Sequence, residues 1–157
     1  MGMATAAFSL QAQSIVSEDF ESGMPSGWTQ TTLATDGGWN AGSASSLSSS
    51  YFSIESHTNI LATNDDGCNC DKSDDVLMTS AFDLSNYSGE SIRLSFDLFF
   101  FLGTYQGATE SFEVMARTGT NAWTNVYTAA GATGWQNSIF VDLSSYAGMA
   151  DVQLAFV

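Results

Sequence analysis

Residues 64–75 read Asn-Asp-Asp-Gly-Cys-Asn-Cys-Asp-Lys-Ser-Asp-Asp, so Asn64, Asp65, Asp66, Asp71, Asp74 and Asp75 crowd amide and carboxylate oxygens into one short loop. Calcium takes about six to eight oxygen ligands from carboxylates, amides, backbone carbonyls and water, and accepts a flexible loop as their support. Carboxylates this close together repel one another unless a cation lies between them. Glu18, Asp19 and Glu21 form a second acidic group near the N-terminus. The expectation is a Ca2+ ion held by some of the loop aspartates, with Glu18, Asp19 or Glu21 as a second contributor. The ligand order is not that of an EF-hand, because no glutamate closes the loop at its last position. The competing reading is a solvated acidic loop.

Cys68 and Cys70 flank Asn69 inside the same loop. Two residues of extended chain span up to about 7 Å, beyond comfortable disulfide reach, so a Cys68–Cys70 bridge requires a tight turn. A zinc site is the rival, but His57 is the only histidine available to complete it. Trp28, Trp39, Trp123 and Trp135, with Tyr51, Tyr105 and Tyr127, could stack on sugar rings or fill a core. Tyr105, between Gly103 and Gly107, and Trp123 are the candidates for an exposed ligand-binding platform, whereas Trp28 and Trp39 suit the core. Catalysis has little to work with. One histidine leaves one possible base, and no Gly-x-Ser-x-Gly elbow presents a serine. Paired carboxylates for glycoside hydrolysis stay open, since their separation belongs to the fold.

The charge balance narrows the partners. Seventeen acids against three Lys and Arg give a net charge of -14. Affinity for phosphate backbones depends on neutralisation by Lys and Arg, so nucleic acid is excluded as a partner class. Residues 1–13 resemble the apolar part of an export signal that lacks its basic start, with a first β-strand as the alternative. No stretch reaches the roughly 20 apolar residues of a membrane span, so no membrane insertion is expected.

The elements that must position these groups read as β-strands. One proline, fourteen glycines and short β-branched or aromatic runs between Ser, Asn, Asp and Gly clusters give the rhythm of an all-β sandwich. Alternation is clearest over 91–98, where Ile92, Leu94, Phe96 and Leu98 share one face, and Phe99-Phe100-Phe101 is expected to continue that strand through the middle of the sandwich. Further strands are expected over 15–20, 51–54, 59–63, 75–78, 111–117, 124–128, 137–143 and 152–157, and residues 43–50 read as a polar loop. Residues 82–89 (FDLSNYSG) recur as 141–148 (VDLSSYAG). The pattern predicts one device used twice: an Asp or Ser side chain closes a turn, Leu and Tyr enter the core, and Gly releases the chain. Because the second copy is followed by a much shorter run, a final strand is expected to be missing. An open sheet edge would then invite pairing with another chain.

The segment Glu18-Asp19-Phe20-Glu21-Ser22-Gly23-Met24-Pro25-Ser26-Gly27-Trp28, followed by Gly38-Trp39, resembles the opening of the MAM-like and cleaved-adhesin, or choice-of-anchor, domains of bacterial surface proteins. Asn64-Asp65-Asp66, Asp74-Asp75-Val76-Leu77, Phe82-Asp83-Leu84-Ser85, Leu94-Ser95-Phe96-Asp97, Trp123, Trp135 and Val141-Asp142-Leu143-Ser144 follow in that family's order. The resemblance implies a two-sheet antiparallel jelly roll over 14–157, structural calcium and no catalytic residues. It also implies a place on secreted or cell-surface proteins of a Gram-negative bacterium, often exported by the gliding-associated route. The family's closing Gly-x-x-Ile-Asp-Asp strand is absent, and with it any calcium ligand it supplies. The expected function is a non-catalytic extracellular binding or adhesion module with a protein or glycan as partner. The alternative is an accessory domain of a secreted peptidase or glycosidase.

Overall fold

The computed structural model of the protein describes residues 12–105 and 107–157, with the side chain of Tyr105 outside that description. Most of the expected export segment, residues 1–11, therefore lies outside the described residues. The elements run β1 (Thr29–Thr31), β2 (Asn40–Gly42), the one-turn helix α1 (Ala44–Leu47), β3 (Ile60–Ala62), the one-turn helix α2 (Asp65–Cys68), β4 (Val76–Met78), β5 (Arg93–Phe99), β6 (Thr104–Tyr105), β7 (Ala108–Thr109), β8 (Glu113–Thr118), β9 (Thr124–Thr128), β10 (Trp135–Asp142) and β11 (Val152–Phe156). Among the described residues no helix is long and apolar enough to cross a membrane.

The chain is an all-β antiparallel sandwich of jelly-roll type. One sheet has the order β1-β4-β11-β8-β9, and the other pairs β10 with β5. β2 pairs with β3, and β6 with β7, as separate hairpin-like ribbons. Alternation explains the core. Val114 and Ala116 of β8 are fully buried, as are Leu77, Val152 and Ala155 to within 1%. Leu77, Val114, Ala116 and Val152 meet Leu94, Phe96, Leu98, Ile139 and Val141 from β5 and β10. The period-2 pattern of residues 91–98 thus places its apolar row between the sheets, as the sequence requires.

Four sequence expectations are corrected. Residues 15–20 form no strand: Val16 is 57% exposed, and the Glu18 and Asp19 carboxylates accept from the backbone N–H groups of Phe20 and Glu21, two residues on. Such local bonds compete with a ladder. Residues 51–54 form no strand because serines satisfy their backbone. Ser49 Oγ accepts from Phe52 N at 3.0 Å and Ser48 Oγ from Ile54 N at 2.9 Å. Within the supposed polar loop 43–50, Ser43 caps α1 by accepting from Ser46 N. The Phe99–Phe101 run also differs from expectation. β5 ends at Phe99, and Phe52 covers Phe99 and Phe101 on the outer side with ring centroids 5.7 Å away in both cases. The run is apolar on both faces because a loop folds over it.

The repeated octapeptide behaves as expected. Asp83 Oδ1 accepts from Ser85 N at 2.9 Å, and Asp142 Oδ1 accepts from Ser144 N at 2.9 Å. Each turn opens a 3-10 helix, Ser85–Tyr87 or Ser144–Tyr146. Leu84 and Leu143 are buried, and Gly89 and Gly148 both take φ +82. The copies interlock, because Gly148 N donates to Leu84 O at 3.0 Å and Leu84 N donates to Met149 O at 2.9 Å. The serine bonds hold both aspartates below the ordinary carboxyl range. A depressed folded value means that their stabilisation is present above the unfolded value near 3.9 and is lost as pH falls through the folded one. The double variant Asp83→Asn/Asp142→Asn keeps the amide acceptor but not the charge. It is expected to lose less stability than the parent between about pH 5 and pH 2, measured by urea unfolding at both ends; equal losses would refute the assignment.

Candidate functional site

The acidic loop does not gather its carboxylates around one point. Its last residue, Asp75, is drawn inside at the start of β4, with a side chain only 2% exposed. Thr63 Oγ1 donates to Asp75 Oδ2 at 2.6 Å, Thr32 Oγ1 donates to Oδ1, and Lys72 Nζ stands 3.7 Å from Oδ2. Lys72 is itself 7% exposed. It bonds both oxygens of Asp36, at 2.7 and 2.8 Å, and Gly38 O at 3.1 Å. Burial pushes the Asp36 carboxyl up, but the bonds from Lys72 and from the Gly38 amide outweigh it and hold the group below the ordinary carboxylate range. The cation beside Asp75 is thus an ammonium from the same loop. A buried charge that is paired and fully hydrogen-bonded is a structural arrangement.

The other expected ligands are dispersed. Asn64 caps α2 by accepting from Gly67 N and donates its amide to Leu47 O at 2.9 Å. Asp71 Oδ1 accepts from Ser73 N and Oγ, at 2.9 and 2.6 Å, which holds its carboxyl below the ordinary range. Asp74 is exposed. Glu21 clamps Asn59, accepting from its N and Nδ2 at 3.1 and 3.0 Å, while Glu18 and Asp19 close their own turns. Asp65 and Asp66 are exposed in the first turn of α2.

A residue that sequence reasoning missed lies within electrostatic reach of those two. Glu110, just before β8, is anchored by its N–H to Gly103 O at 2.9 Å. Burial first, and then the charges of Asp65 and Asp66, push its carboxyl above the ordinary value. Nothing in the sequence around Glu110 announces this influence, because it lies more than forty positions from α2 and depends on the sandwich closing. Of the expected ligands, Asp65 and Asp66 are the two whose charges reach Glu110, while Asp74 stands exposed elsewhere in the loop.

The cysteines are bridged, with a Cα–Cα distance of 5.2 Å. The tight turn the bridge requires is supplied by Asn69 at φ +52, a left-handed conformation that asparagine tolerates. Asp36 lies with both sulfurs in a group whose ligand atoms fall within 4.8 Å of one another. Bridged sulfur is not the thiolate that binds metal, and Lys72 already holds Asp36, so this group is structural.

The aromatics divide. Trp39 is buried and points its indole N–H at Asp75 O, and Trp28 stacks on Phe156 at 6.2 Å. Trp135 donates to Glu55 O at 3.1 Å and stacks against His57 at 4.1 Å. Trp123 carries the Arg117 guanidinium over its ring at 4.2 Å, so one face is taken. Tyr105 sits in β6, and its side chain lies outside the described residues. His57 Nε2 lies 3.4 Å from Asp97 Oδ2, and Asp97 Oδ1 accepts from Ser138 N at 2.7 Å in the bulge of β10. That arrangement braces an irregular strand.

No protein-family model, no curated protein and no solved structure matches the chain.

Proposed function

We propose that the protein is a non-catalytic binding or adhesion module of secreted or cell-surface proteins, with calcium drawn to Asp65, Asp66 and Glu110. The observation that supports the reading is electrostatic: burial first, and then the charges of Asp65 and Asp66 from a sequence-distant segment, push the Glu110 acid up, while the three carboxylates are not gathered within 4.8 Å of one another. A divalent ion there would replace mutual repulsion with shared attraction. Asp75 takes no part, because Lys72 and two threonines hold it. The ordered resemblance to MAM-like and cleaved-adhesin domains supports an extracellular role. A protein ligand is favoured over a glycan because the faces of Trp28, Trp39 and Trp135 are packed and one face of Trp123 is taken by Arg117.

The test is thermal unfolding with excess calcium and with chelator. At calcium about 100 times the dissociation constant, the expected gain is about 2.7 kcal/mol, a melting shift of several degrees. Glu110→Gln separates metal from mere charge. A carboxyl raised in the folded state destabilises once it ionises, so the variant is expected to melt higher than the parent in chelator. It is also expected to lose most of the response to calcium. An unchanged melting temperature with and without calcium would sink the reading.

A further inference from the structure

The group formed by Asp36, Cys68 and Cys70 has a second chemistry that the bridge conceals. Its ligand atoms lie within 4.8 Å of one another, and among the described residues it is the one group of three His, Cys, Asp or Glu side chains to meet so closely. Residues 1–11 and Gln106, which lie outside the description, contain none of those four residue types and add no ligand of this kind.

Bonds that do not involve sulfur bring the three together. Lys72 Nζ ties both Asp36 oxygens and Gly38 O to the acidic loop, and Asn64 ties the other end of that loop to Leu47 O. Asn69 N donates to Asp65 O at 2.7 Å, which closes the turn between the two cysteines. Opening the bridge therefore leaves the three side chains as neighbours. What they can hold depends on oxidation state, because zinc takes thiolate and carboxylate ligands and bridged sulfur is neither. Two sulfurs bound to one zinc at about 2.3 Å stand roughly 3.8 Å apart. A Cα–Cα separation of 5.2 Å accommodates that spread. Asp36 Oδ1 lies 4.0 Å from Cys70 Sγ, and Asp36 also lines a polar cavity of ≈ 210 Å³ with Asn40, Ser46 and Asn64, through which water reaches its carboxylate. The spacing of residues along the chain offered His57 to complete a zinc site. His57 is stacked on Trp135 instead, and the fold supplies Asp36.

We propose that Cys68, Cys70 and Asp36 form a zinc site that exists while the bridge is open, with water as the fourth ligand. A dithiol reductant opens it: the Cys68–Cys70 bond breaks, the reductant's two sulfurs join as a disulfide, and its two protons pass to Cys68 and Cys70. Zinc then displaces both protons without changing its own oxidation state. Reoxidation closes the bridge and expels the ion. Lys72 opposes binding, since its ammonium holds the same Asp36 oxygens; when the metal displaces it, Asp75 remains its partner at 3.7 Å. The site does not depend on the calcium reading, because calcium takes oxygen ligands and Asp65, Asp66 and Glu110 stand outside the group.

The test is titration of the whole chain with cobalt(II), a coloured stand-in for zinc, after reduction by a dithiol and its removal without oxygen. The reduced chain is expected to give a thiolate-to-cobalt charge-transfer band that saturates at one cobalt per chain, disappears on adding zinc and persists in excess calcium. The oxidised chain is expected to give none. Asp36→Asn is expected to weaken cobalt binding about tenfold or more, the scale on which a metal site responds to loss of a supporting group. Lys72→Met keeps every proposed ligand and is expected to tighten binding about tenfold by removing a like charge. Absence of the band from the reduced chain, saturation at one cobalt per two chains, displacement by calcium, or affinity unchanged by Asp36→Asn overturns the proposal. Should Asp36→Asn fail to fold, Lys72→Met decides: tighter binding supports Asp36 as a ligand, and unchanged binding refutes it.

Discussion

Asp75→Ala is expected to lower the free energy of unfolding by about 3–5 kcal/mol, the range for removing one partner from a buried ion pair. The carboxylate anchors Thr32, Thr63 and Lys72 together, and those residues come from the end of β1, the end of β3 and the acidic loop. Its loss leaves the buried Lys72 ammonium with Asp36 and the Gly38 carbonyl, and two hydroxyls without their acceptor. Urea unfolding of Asp75→Ala, Lys72→Met and the double variant Lys72→Met/Asp75→Leu gives the measurement. The double variant is expected to be less destabilised than Asp75→Ala, because replacing both charges by apolar groups leaves neither unpaired. A cost for Asp75→Ala below about 1 kcal/mol would show that the carboxylate is not held as described. The calcium response is expected to survive the substitution, which separates this residue from Asp65, Asp66 and Glu110.

The second large effect concerns the interlocked repeat. Leu84→Ala and Leu143→Ala are each expected to cost about 2–5 kcal/mol, since both side chains are buried in the same cluster with Ile92, Val141 and Leu154. Equivalent roles predict similar costs. Because the two residues share one cavity environment, the double variant is expected to depart from additivity by about 0.5–3 kcal/mol. Strict additivity, or a cost confined to one copy, would mean that the repeat is a coincidence of composition. Chemical denaturation of the single and double variants reads this directly.

The sequence made the architecture legible wherever a strand had one buried face. Leu94, Phe96 and Leu98, or Val114 and Ala116, announce their direction through period-2 spacing. It failed where side chains rather than ladders satisfy the backbone. Ser48 and Ser49 do this for residues 52–54, and Glu18 and Asp19 for residues 20–21. Short strands such as β1, exposed along its length, and β2 carry too little apolar signal to be seen. The acidic loop was recognisable as unusual, but its composition did not reveal which carboxylates are spoken for. Lys72 was the overlooked clue: one ammonium among Asp71, Asp74 and Asp75 is the natural partner of whichever acid goes inside. Glu110 could not be read, because its neighbours are set by tertiary closure.

The placement of β11 has a consequence for how the molecule is made. β4 and its neighbour β1 reach the rest of their sheet only through β11, which pairs Ala155 with Met78 and Phe156 with Leu77. A ribosome adding roughly 5–20 residues per second delivers β11 several seconds after β4. Throughout that interval the N-terminal half waits with Leu77 uncovered. Nascent chains are therefore expected to remain sensitive to protease until β11 emerges and then to become resistant in a single step.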